Sequence, residues 1–108
     1  MGVFVSTLVA SPTTLKTGVN NVSVTYSGFV TATGDNNVAI SAVCGDPNVR
    51  VISVAPSSSA FPLVNGPLQL NLQLTVSNSG GGVLQATVTV TFKTATNSTI
   101  TRNLVFLY

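Results

Sequence analysis

Histidine and tryptophan are absent from this 108-residue sequence, and only 6% of its residues are charged. An average soluble domain carries about 25%. Without imidazole, no Ser-His-Asp or Cys-His arrangement can form, and no histidine metal ligand is available. Glutamate is missing too, so the carboxylates are Asp35 and Asp46 alone. They bracket an apolar stretch, Val38 to Cys44. As a strand at ~3.3 Å per residue, that stretch would hold them more than ~20 Å apart. A glycosidase or aspartic pair works within about 10 Å. Asp35-Asn36-Asn37 is thin as a calcium site, and turn formation explains the same residues. The sequence reads as a non-enzyme with no cofactor and no metal.

Cations are equally scarce. Lys16, Arg50, Lys93 and Arg102 are scattered, with no run to follow a phosphate backbone, which argues against nucleic acid as a partner. A lone cysteine, Cys44, allows no intrachain disulfide and reads as a small buried apolar side chain. No apolar stretch approaches the ~20 residues that a membrane helix needs, so no membrane partner is expected. Met1 to Ala10 lacks the basic and long apolar regions of a signal peptide. The expectation is a protein that acts where it is made, or an excised module with an added start codon. Met1-Gly2-Val3-Phe4-Val5-Ser6 fits a myristoylation pattern, but Val3 to Val5 reads as strand. The sequons at Asn21 and Asn97 have meaning only in a secreted eukaryotic setting. Gly80 to Gly82 lack the Lys-Ser/Thr of a phosphate loop.

What fills the chain is valine with neutral polar residues: 18 Val, 15 Thr, 12 Ser and 10 Asn. Val and Thr are β-branched and suit a pleated, half-buried surface. Apolar residues recur with a period of two, which sends successive side chains to opposite faces of a sheet. Leu68, Leu70, Leu72, Leu74 and Val76 form one apolar face, and burying them is worth about 8–15 kcal/mol before chain entropy. Leu84, Ala86, Val88, Val90 and Phe92 form another. The glycine-rich Asn78 to Gly82 between them predicts an antiparallel hairpin. Further strands are expected near Gly2 to Ala10, Val22 to Tyr26, Val38 to Cys44, Val49 to Val54 and Ile100 to Tyr108. Turns fall at Thr17 to Asn20, Gly34 to Asn37 and Gly45 to Asn48. Ala55 to Pro67, with three prolines, reads as a long loop crossing between sheets. Residues 1–108 form a single domain, an all-β sandwich of seven or eight antiparallel strands.

The terminal strands break the alternation. Leu104 to Tyr108 is apolar on both faces, and Phe4, Val5, Leu8 and Val9 behave similarly. Either these strands cover one another or a loop covers them, or they form a contact surface for another subunit. On the second reading the packing contacts are Phe4, Leu8, Val105, Leu107 and Tyr108.

Ala10-Ser11-Pro12-Thr13-Thr14-Leu15-Lys16-Thr17-Gly18, followed by the strand Val22 to Tyr26, resembles the opening of bacterial immunoglobulin-like domains. Such modules often begin with a Ser-Pro-rich segment, a Gly turn and a Val/Thr strand. The resemblance covers Ala10 to Tyr26, 17 of the 108 residues. The antibody-type Cys…Trp…Cys arrangement is missing, and Tyr26 lies too early for a tyrosine corner. The implied fold is an immunoglobulin-like sandwich, with a jelly roll as the alternative. Immunoglobulin-like domains of this kind occur in tailed-phage virions as capsid decoration, head-fibre or tail proteins, which implies a virion location and a capsid lattice or copies of itself as partner. They also occur as stacked extracellular modules of adhesins and surface fibres. On that alternative a glycan is the partner and Phe61 the best-placed aromatic, while a filament subunit would self-assemble.

Overall fold

A computed structural model describes residues 3–30, 37–60, 66–94 and 99–108, with side chains described for 5–27, 37–58, 67–94 and 99–108. The strands are β1 (Val3–Val5), β2 (Val9–Ser11), β3 (Gly18–Val30), β4 (Asn37–Cys44), β5 (Val49–Ala55), β6 (Ser58–Ala60), β7 (Gly66–Val76), β8 (Gln85–Thr94) and β9 (Thr99–Leu107). No helix occurs among the described residues. The predicted turn residues 34–36 and Phe61 lie outside them.

The strands make two antiparallel sheets. In the first, β1 and β2 lie end to end along β3, followed by β7 and β5. In the second the order is β6, β4, β8, β9. With β1 and β2 taken together as one strand, this is the seven-strand order of an immunoglobulin constant-type sandwich, with β6 added at an edge. The jelly roll is set aside by this order. Inward residues of both sheets meet in one core, among them Val22, Val24, Leu70, Leu72 and Leu74 from the first and Val88, Val90, Phe92 and Phe106 from the second.

The hairpin expected between Leu68 and Phe92 does not form. β7 has β3 and β5 on its two sides, and β8 has β4 and β9. The apolar period does give the facing, since Leu70 to Val76 and Ala86 to Phe92 are buried at every alternate position. Alternation states which face is inward and is silent on which strand lies alongside. The glycine-rich segment instead crosses from one sheet to the other, with Gly81 and Gly82 at φ of +76° and +88°, a region that favours glycine. Leu84, at the mouth of this crossing, is exposed rather than inward.

Local chemistry explains the other turns. Gly18, at φ +102°, opens β3, and the Asn20 side chain accepts from Lys16 N–H at 2.9 Å and donates to Lys16 C=O at 2.8 Å. Asp46 Oδ1 accepts from Asn48 N–H at 2.8 Å, an Asx turn that carries the chain from β4 to β5 in the opposite sheet. Ala55 to Pro67 is more than a crossing loop. It leaves β5, adds β6 to the edge of β4, and returns to the first sheet as β7. Within β5 the register shifts between Val51 and Ser53, leaving Ile52 as an extra residue. That bulge reverses the parity, so Val54 rather than Ser53 turns inward opposite Leu72.

Candidate assembly surface

The residues predicted for assembly contact do not share one surface. Leu8 is 6% exposed and Tyr108 3% exposed, and both belong to the core of their own chain. Leu107 is half-buried, and the Phe4 side chain lies outside the described residues. Among those whose side chains are described, Val105 alone stands out from the fold, at 53% exposure. The terminal strands are thus largely covered by their own chain.

Three contacts provide that cover. Between β1 and β2, Ser6 N–H donates to Ser27 C=O and Ser27 N–H to Ser6 Oγ, each at 2.8 Å. After β2 the chain leaves the first sheet through Pro12 and runs parallel to the end of β9. There Leu107 N–H donates to Thr13 C=O at 2.9 Å, and Leu15 N–H donates to Leu107 C=O at 2.7 Å. This turns Leu15 into the core between the sheets, where it is almost fully buried. Farther along, the Arg102 guanidinium reaches from β9 to β1, donating from Nη2 and Nε to Val5 C=O at 2.6 and 3.2 Å. Sequence reasoning missed both residues. A single apolar residue in Thr-Thr-Leu-Lys-Thr has no period, and Arg102 reads as one more outward cation.

At the same end, Tyr108 pairs its backbone with Leu84 and donates its hydroxyl to Asp46 Oδ2 at 2.6 Å. The bond to Asp46 and the loss of water raise the Tyr108 phenol above its ordinary value, and burial does the same to Tyr26. The unfolded phenols give up protons first, near pH ~10, so above that the folded state holds more protons and stability falls as pH rises. Their contribution is complete below that pH and is lost through the raised folded values. Denaturant titrations from pH 8 to 12 should show this decline, and Tyr108→Phe should flatten it. An unchanged slope in the variant would contradict the assignment.

The broad faces are nearly uncharged. On the second sheet the outward rows run Ser41, Thr91, Thr101 and Val43, Thr89, Asn103, with Thr87 beside Val105. Thr89 Oγ1 donates to Asn103 Oδ1 at 3.0 Å. On the first sheet the rows run Arg50, Thr75, Val19 and Gln73, Asn21, followed by Asn71, Ser23 and Gln69, Thr25, Val9. Among the described outward side chains, the first face carries one charge, Arg50, and the second one, Lys93.

The chain matches no family model, no curated protein and no solved structure.

A cleft of about 370 Å³ lies between the free flank of β4 and β5. Ala42, Val43, Cys44, Pro47, Val49 and Val51 line it together with two charged residues, Asp46 and Arg50. Cys44 is half-buried there with a free thiol. No group of three or more metal-ligating side chains occurs among the described residues.

Proposed function

We infer that this chain is a non-enzymatic structural module that works by contact within a larger assembly, as a decoration or auxiliary head or tail protein of a virion. The observation that carries the reading is the pair of broad polar faces, each with a single charge among its described side chains. Interface centres are depleted of charge because burying an unpaired ion costs several kcal/mol. Hydroxyl and amide rows around an exposed valine can be covered without that cost. The virion setting is supported by the resemblance of Ala10 to Tyr26 to the opening of bacterial immunoglobulin-like domains, a kind of domain that also occurs in such particles. The test is co-sedimentation with particles from the same source. Wild-type chain should be retained, and Val105→Lys should weaken retention at least ~10-fold, about 1.4 kcal/mol or more. A chain that stays monomeric at high concentration and is never retained would end this reading.

A further inference from the structure

Among the described residues, the sandwich is sealed along one side and open along the other. On the sealed side, residues 13–15 pair with β9 and drive Leu15 into the core. On the other side, β6 covers β4 from Asn37 to Ala39, with one more bond from Ile40 N–H to Ser57 C=O at 2.7 Å. Beyond that, Ser41 to Cys44 has β8 on one flank and, among the described residues, no strand on the other. Strand alternation turns the amides of Ala42 and Cys44 to the same flank as that of Ile40. The cleft runs along this flank.

Every other edge carries a device that discourages pairing. β1, β2 and β6 are three residues each. β5 has its bulge and Arg50, and β9 directs Arg102 across its own edge. Ser41-Ala42-Val43-Cys44 has no charge, no proline and no bulge, and Val43 is exposed. Ala42, Cys44 and Val51 beside it are only half-buried, so the core is incomplete at this corner.

We propose that this flank of β4 receives an extended, uncharged segment of another protein chain, about four residues long at ~3.3 Å each, that continues the line of β6. The proposal rests on the assembly reading above and names how the contact is made. Its occupant follows from the site. The existing β6 pairing sets the direction, antiparallel to β4. The free amides take main-chain bonds from any sequence, so affinity comes from strand addition. The cleft accepts an inward side chain, and its floor of Ala42, Cys44, Val49 and Val51 selects an apolar one, the role that Leu15 fills on the sealed side. Of the two charged groups that line the cleft, Asp46 already accepts from Asn48 N–H and from the Tyr108 hydroxyl, and Arg50 stands in water. A charged side chain on the apolar floor would therefore lose water without a free partner beside it.

A displayed library of eight-residue peptides, panned on the full chain, should enrich uncharged segments with alternating apolar residues. A synthetic peptide of the enriched sequence should shift the NMR amide signals of Ala42 and Cys44 and leave those of β9 in place. Because the Ala42 N–H faces the free flank, Ala42→Pro removes no bond from the isolated sheet, yet peptide affinity should fall at least ~10-fold. Ala42→Leu, which fills the cleft and keeps the backbone, carries the same expectation should the proline variant fail to fold. No enrichment, enrichment of charged sequences, shifts at another edge, or unchanged affinity in the variants overturns the proposal. Concentration-dependent shifts of the same amides without peptide would make the occupant a second copy and overturn it as well. If particles retain wild type and Ala42→Pro equally, this flank is wrong and the assembly role stands. If particles retain neither while the peptide binds as described, the assembly role fails and the strand-accepting flank stands.

Discussion

Replacing Phe92 with alanine is expected to lower the unfolding free energy by about 3–5 kcal/mol. Phe92 is 1% exposed and sits in β8, flanked in register by Ile40 of β4 and Ile100 of β9. Its ring meets that of Tyr26, from the opposite sheet, at 5.3 Å between centroids and a 50° tilt. Truncation therefore removes the aromatic contact that bridges the two sheets and leaves a void walled by two backbones that hydrogen bonds hold in place. Domains of this size are stable by only about 5–15 kcal/mol, so the variant loses a large share of its margin, and its melting temperature should drop by at least ~12 °C. Urea denaturation and calorimetry would read both. A loss below ~1 kcal/mol would mean that the neighbours collapse into the space, against the packing described.

Leu15→Ala should cost about 2–5 kcal/mol, although Leu15 lies in no regular strand. Its side chain closes the core where the chain passes from the first sheet to the second, and its N–H is bonded to Leu107 C=O. The loss should also have a local signature. The Leu107 amide, which donates to Thr13 C=O, should exchange with solvent faster, while amides in the middle of β7 change only with global stability. Equal exchange at Leu107 in variant and wild type, with unchanged stability, would remove the crossing segment from the core.

The alternating strands were legible because burial on one face of a sheet imposes a period of two, and β7, β8 and the start of β4 obey it residue by residue. Partner choice was not legible: Leu70 and Val88 carry the same inward signal whether their strands lie side by side or face to face. β6 was hidden because Ser58-Ser59-Ala60 has no apolar rhythm, and only the edge of β4 makes it a strand. The bulge was hidden because Val-Ile-Ser-Val reads equally well in two phases until Leu74 and Gln73 select one. For the candidate surface, the apolar terminal run was visible in sequence. Which of its members the fold would cover depended on Leu15, Arg102 and Asp46, residues distant in sequence from the strands they serve.

Ile52 has no opposite number across the ladder, and deleting it would leave Val51 on Leu74 and Ser53 on Gln73, with every rung intact. Such a shortened chain would fold as before but present a straight, regular ribbon at the outer margin of its first sheet, a template on which copies could stack into fibrils. The surplus isoleucine, half in water, thus joins Arg50 in breaking the regularity of this one margin.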